Sequence, residues 1–254
     1  MKNLAASCAI AFSTYSRIPM PQVEWNEGNM RHTLAFFPLV GAAVGAGFWG
    51  VDALCRALAL GDVLRGALLA IVPVVITGGI HLDGYCDTVD ALASHAPREK
   101  KLAILKDSSA GAFAVIWCCV WFLLDFALLT ALESAATVAA CFLLSRSLSA
   151  LGIEHLPSAR AGMGADLKRG SRFPWWTLGV YLVLWAGAVW LWGRWVPGLA
   201  ALAAAVCVYL FYRRMALRVF GGFTGDLAGW FLQVCELSML AAAVLAERVV
   251  DLWF

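Results

Sequence analysis

Seven long apolar stretches constrain this chain more than anything else in it. They lie near residues 33–55, 63–80, 110–132, 135–152, 175–193, 196–212 and 228–246. A transmembrane helix needs about 20 predominantly apolar residues, and each stretch is close to that length. Charged residues make up only 14% of the chain, against about 25% in an ordinary soluble domain. The mean hydropathy is +0.78. The chain is therefore expected to be all-α: a polytopic integral membrane helical bundle of about seven transmembrane helices, forming one domain over residues 1–254. The opening segment, "MKNLAASCAIAFSTYSRIPMP", has the basic start and short apolar run of a signal peptide, but no A-x-A type cleavage site. It reads as a retained short helix, interfacial or re-entrant.

Lys and Arg content orients such a bundle. Segment 82–109 carries Arg98, Lys100, Lys101 and Lys106; segment 153–174 carries Arg160, Lys168, Arg169 and Arg172; segment 213–227 carries Arg213, Arg214 and Arg218. The intervening connections are charge-poor, with Glu133 alone in one and Arg194 in another. The alternation predicts an N-terminus inside and a C-terminus outside. All the polar clusters described next then share the cytoplasmic face. A net charge of +2 gives no reason to expect nucleic acid. Eight cysteines without a CxxC pair, nearly all in apolar segments, read as small packing hydrophobes.

The first cluster is "GGIHLDGYCDTVDA", residues 78–91. On a helix, at 100° per residue, Asp87 lies about 40° and Asp90 about −20° from Asp83, so the three carboxylates share one narrow face. Like charges about 6 Å apart repel by roughly 3 kcal/mol at an effective dielectric of 20. Such a stack needs good solvation or a cation among the acids, and hard oxygen ligands at this spacing suit Mg²⁺ or Mn²⁺. The plainer reading is a solvated helix face. His81, two residues ahead of Asp83, reads as a hydrogen-bonding neighbour of the acids.

Three further clusters follow. In "ILKDSSAGAF" (104–113), Lys106 could serve a phosphate, Asp107 a metal, and Ser108 the end of the following helix, although Asp or Ser before an apolar run equally reads as an N-cap. The antiparallel hairpin of the second and third spans would bring this cluster near Asp83–Asp90. In "GGFTGDLAGWFLQVCE" (221–236), glycines and Thr224 precede the last span, with Asp226 at its entry and Glu236 about three turns in; a glycine turn with an N-cap is the alternative. The loop "PSARAGMGADLKRGSRFP" (157–174), with Lys168 and Arg169, could hold lipid headgroups or a phosphorylated substrate. Arg146, inside an apolar span, wants a carboxylate or phosphate partner. Gly41, Gly45 and Gly47 read as places where helices approach closely.

Taken together, "FSTYSRIPMP" (12–21), "FFPLVGAAVG" (36–45), "TGGIHLDGYCDTVDA" (77–91), "LKDSSAGAF" (105–113) and "GGFTGDLAG" (221–229) resemble, in order, the blocks of the cobalamin synthase (adenosylcobinamide-GDP ribazoletransferase) family. The resemblance runs over nearly the whole chain. It implies a multi-pass enzyme of the bacterial cell inner membrane that requires Mg²⁺. Such an enzyme joins the activated lower arm of adenosylcobinamide-GDP to α-ribazole, or its 5′-phosphate, and releases GMP. The family's acidic motif falls on Asp83, Asp87 and Asp90, with Asp107 from the second block, as catalytic and metal-binding residues. The chain departs from the pattern at Ala91, Trp230 and Gln233, which leaves Glu236 as the carboxylate of the last span.

Both readings lead to phosphoryl chemistry. Magnesium held by the four aspartates would bridge the diphosphate, Asp90 would act as general base, and Lys106, Arg146 and Arg169 would steady phosphate oxygens. His81, Ser108, Lys168, Thr224, Asp226 and Glu236 complete the expected substrate-binding set. The expected partners are the corrinoid nucleotide, the ribazole and the lipid bilayer; association into a homo-oligomer or with other enzymes of the late pathway is left open. Two alternatives have different signatures. A CDP-alcohol-type membrane phosphotransferase would carry Ala-Arg where Cys86-Asp87 stands. An ion-coupled transporter would place acids at mid-span and show an internal repeat.

Overall fold

The computed structural model describes residues 2–107 and 109–253. In chain order its helices are α1 (Lys2–Tyr15), α2 (Glu27–Met30), α3 (Thr33–Ala57), α4 (Asp62–Thr77), α5 (Ile80–Ala93), α6 (Arg98–Ile104), α7 (Ala112–Ala131), α8 (Ala135–His155), α9 (Met163–Gly170), α10 (Trp175–Leu191), α11 (Trp195–Met215) and α12 (Gly225–Trp253), with a π-helical turn at Ala216–Phe220. Every expected apolar stretch is helical. Five helices (α3, α7, α8, α11 with its π turn, and α12) are long and apolar enough to cross a membrane by themselves. The other two expected spans fall on α4 and α10, which are shorter and belong to bent pairs: α4 with α5 at 94°, and α9 with α10 at 106°. The count is thus five, or seven if each bent pair is one span.

The α4–α5 break has a local cause. Gly78 and Gly79 both adopt left-handed backbone, at φ 67° and φ 78°, a region that side chains with a Cβ rarely enter. Gly78 ends α4 by donating its N–H to Val74 O, the usual device of a left-handed C-cap. α5 then restarts almost at right angles. The Arg17 N–H, just beyond α1, donates to Ile76 O at 2.7 Å, so the N-terminal helix is tied to the same corner.

α8 is the central helix, packed by α3, α10, α11 and α12. It is buried along nearly its whole length, polar residues included: Thr137, Ser145, Arg146, Ser147 and Ser149 are all at most 1% exposed. The small residues of α3 allow its closest contact, as the sequence suggested. A Cβ built on Gly41 would fall on the Phe142 carbonyl oxygen, and one on Gly45 on that of Ala139. The outward faces of α7, α10 and α11 expose Ile116, Leu123, Val183, Leu199 and Leu210, side chains that a bilayer would cover.

The two ends of the bundle differ in character. At one end Asp52 joins α3 to α4 by pairing with Arg65 (2.5 Å) and with Arg56 (2.9 Å), while Arg65 also donates to Leu132 O at 2.9 Å. Glu247, Arg194, Glu133 and Arg248 continue this polar rim. The three basic segments meet at the other end, where residues 98–105, 157–164 and 221–226 touch one another.

Gly41→Val would drive a side chain into a helix backbone that cannot yield. It is expected to cost about 1–3 kcal/mol or more, as overpacking does, and to lower the thermal unfolding temperature in detergent. Gly50→Val, on the same helix where a Cβ meets nothing within 4 Å, should leave that temperature nearly unchanged.

Candidate active site

α5 is the helix that the acidic motif requires, so Asp83, Asp87 and Asp90 do share one face. Their surroundings give them different tasks. Asp90 is engaged with protein: its carboxylate accepts the Gly111 N–H at 2.6 Å and the Ala114 N–H at 2.9 Å. It therefore caps the N-terminus of α7, where unpaired N–H groups favour an anion. This pins the end of the second cluster, Gly111 and the start of α7, against α5, although Lys106 and Asp107, which the hairpin argument expected there, are exposed on the connection. Asp83 and Asp87 make no hydrogen bond or ion pair to any described residue.

The fourth acid of the site comes from α12. Glycines on both helices let α5 and α12 touch backbone to backbone: a Cβ on Gly84 would lie 2.8 Å from Asp226 O, and one on Gly229 would lie 2.9 Å from His81 O. Asp226 is thereby brought beside the acid face. The Asp87 carboxylate sits in the field of Asp83, Asp226 and Asp90, opposed by the Arg160 guanidinium. Asp83, Gly84 and Asp226 open on a cavity of about 300 Å³, whose other walls include Tyr15, Ser149 and Phe223. One side of this cavity is acidic and the rest is largely apolar.

Asp226 is anchored by Arg160 at 2.5 Å and by the Thr224 hydroxyl at 3.1 Å. The same hydroxyl accepts the Leu227 N–H at 3.2 Å, making Thr224 the N-cap of α12. His81 is 4% exposed, with its ring beside Tyr15 and Phe37, and it lines the same cavity. No described residue is hydrogen-bonded to its Nε2.

Other expected residues lie elsewhere. Lys106 and Asp107 are exposed on the connection before α7. The Ser109 N–H donates to Asp107 at 2.9 Å and holds its carboxyl below the usual carboxylate range. Ser108 lies outside the described residues. Lys168 donates to the Leu156 carbonyl, and Arg169 pairs with Asp166 at the surface. Arg146 and Glu236 are inside the bundle rather than at its mouth. They pair with each other, the Ser145 hydroxyl donates to Glu236 at 2.8 Å, and Arg146 is 1% exposed. The partner that the Arg146 guanidinium needed is thus a carboxylate of the last helix. Among the described residues, no group of three or more His, Cys, Asp or Glu side chains is arranged to hold a metal ion. The four aspartates of the motif do not close into a cage of protein ligands.

Fold and site together define a multi-pass helical membrane protein whose uncommitted carboxylates gather beside a cavity at one end of the bundle. Residues 7–244 match the family described as cobalamin-5-phosphate synthase, and the chain belongs to that family. Its curated relatives carry the name adenosylcobinamide-GDP ribazoletransferase. That of Lachnoclostridium phytofermentans is 41% identical over 95% of this chain and 94% of its own. Those of Desulfitobacterium hafniense (35%; 92% and 94%) and Clostridium botulinum (30%; 96% and 99%) are also similar from end to end. No solved structure matches. The chain is a transferase of cobalamin biosynthesis.

A buried ion pair that loses one partner leaves an uncompensated charge, at a cost of about 3–5 kcal/mol. Arg146→Leu is therefore expected to yield little monodisperse protein in detergent. Arg146→Met combined with Glu236→Leu should recover it, as read by size-exclusion profile and thermal unfolding.

Proposed function

We propose that the chain joins adenosylcobinamide-GDP to α-ribazole or its 5′-phosphate and releases GMP, at the end of the bundle where Asp83, Asp87 and Asp226 meet. The reading rests on one observation above all. Two carboxylates on α5 have no protein partner and face a third on α12 beside a cavity, within a chain that has few charges to place. A ribazole hydroxyl attacks the phosphorus bearing the corrinoid arm, the bond from that phosphorus to the GMP oxygen breaks, and the hydroxyl proton passes to a carboxylate. We assign that acceptor role to Asp87, at the centre of the acid group, because Asp90 is committed to two backbone N–H groups.

Magnesium suits these residues even without a cage. It keeps several waters and is held through one or two carboxylates together with substrate phosphate oxygens. Asp83 is the candidate to hold it, with Asp87 left free to take the proton, while Asp90 and Asp107 shape the segment beside them. A magnesium ion there would offset the charge of the diphosphate and of the departing nucleotide. The chain's own groups bind and orient: the apolar wall of the cavity takes the bulk of the corrinoid arm, and the α5–α12 crossing fixes the spacing of the acids. The clustering of Lys and Arg at this end supports an inner-membrane orientation with the site toward the cytoplasm.

The test uses purified protein in nanodiscs with adenosylcobinamide-GDP, α-ribazole and Mg²⁺, scored for GMP. Wild-type protein should release GMP, and a chelator should stop it until Mg²⁺ is restored. Asp87→Asn should lower the rate by about 10²–10⁴-fold, the usual share of a positioned base, with insertion and thermal unfolding unaltered. Absence of GMP from wild-type protein would remove the proposal.

A further inference from the structure

Arg160 stands at the junction of the three polar segments. The loop that carries it is paired with the turn preceding α12: the Phe223 N–H donates to Pro157 O at 2.8 Å, and the Ala159 N–H to Phe223 O at 2.9 Å. From there the side chain reaches across both neighbouring segments. Its Nη2 group donates to Leu105 O at 3.1 Å and to Asp226 Oδ2 at 2.5 Å. A guanidinium has five N–H donors in a rigid plane. With Nη2 fixed at two points, the Nε and Nη1 donors are held in place and bond to no described residue.

The space beside this side chain is open. Arg160 lines a second cavity, of about 210 Å³, with Gly162, Gly164, Thr224, Gly225 and Asp226. This cavity adjoins the acidic one through Gly164, Phe223, Gly225 and Asp226, which line both. A Cβ on Gly162 or Gly225 would meet nothing within 4 Å. Arg160 is also the positive charge set against the acids around Asp87. The residue thus both ties the loop to α12 and lines the open space beside it.

We infer that Arg160 grips the diphosphate of the nucleotide-activated substrate, with that anion lying on the glycine shelf between Arg160 and α12. Asp226 and the Leu105 carbonyl act as the positioning groups that orient the guanidinium. The inference rests on the reaction proposed above for its ligand, and it assigns to one residue the phosphate contact that the acids cannot make. Charge-assisted hydrogen bonds from a guanidinium to phosphate are short and strong.

Two readouts separate this inference from the reaction itself. The first is equilibrium binding of a fluorescent GDP analogue to nanodisc-embedded protein with Mg²⁺, which needs no turnover. Arg160→Gln should weaken it by about 10- to 100-fold, the worth of one or two hydrogen bonds to a charged group. Arg160→Lys, which keeps the charge but not the fork, should recover part of the loss. The second readout is GMP release with α-ribazole, which has no phosphate of its own, against release with its 5′-phosphate. Arg160→Gln should raise KM for adenosylcobinamide-GDP with either acceptor. Unchanged GDP binding in a variant that unfolds at the wild-type temperature overturns the inference. So does an effect confined to the 5′-phosphate, which would place the other substrate's phosphate on the shelf. If Arg160→Gln does not fold, Arg160→Lys carries the test, and wild-type affinity in that variant counts against the inference. Loss of GDP binding in a variant of a wild-type protein that makes no GMP would uphold the shelf and discard the reaction.

Discussion

The backbone contact between α5 and α12 is the constraint on which the site depends. The two helices come from positions about 140 residues apart, and neither carries the full acid group. Asp226 stands beside Asp83 and Asp87 only because Gly84 and Gly229 leave no side chain between the chains. Close approach through small residues is common in membrane bundles, where packing rather than hydrophobic burial drives association. Here it also determines where charge accumulates. Repulsion among the acids is accepted because the packing on either side of the crossing, Phe231 and Leu227 among it, is fully buried.

Polar groups elsewhere in the bundle are matched more closely. Arg146 and Glu236 balance each other inside the bundle, and Asp52 does the same for Arg65 and Arg56 at the far end. Asp90 is satisfied by backbone N–H groups. Against that background Asp83 and Asp87 are carboxylates without partners at the acid face, as Asp125 is inside the bundle, and Arg160 is a cation with unpaired donors beside a cavity. Functional sites are where such local imbalance is expected.

Much of this architecture was legible in the sequence, for identifiable reasons. The apolar stretches fixed the helices because a bilayer demands length and composition together. The i, i+4, i+7 spacing from Asp83 put three acids on one face, and Gly41 and Gly45 did mark a close helix contact. What could not be read depended on distant partners. A lone Arg146 in an apolar span calls for an anion, but its spacing cannot choose between a phosphate and Glu236, 90 residues away. Asp90 looks like its neighbours until α7 folds back onto it. Arg160 served only to orient the chain, because its importance comes from Leu105 and Asp226, which no local pattern links to it. Nor did the apolar run through residue 80 show that Gly78 and Gly79 would both be left-handed and turn α5 away from α4.

That last detail sets the direction in which the acids are arrayed. Rising 1.5 Å per residue, a helix continuing straight on from α4 would spread Asp83, Asp87 and Asp90 over about 10 Å along its own axis. Turned through 94°, α5 instead arrays the three acids across the axis of α4. A ligand approaching along the direction of α4 then meets them side by side.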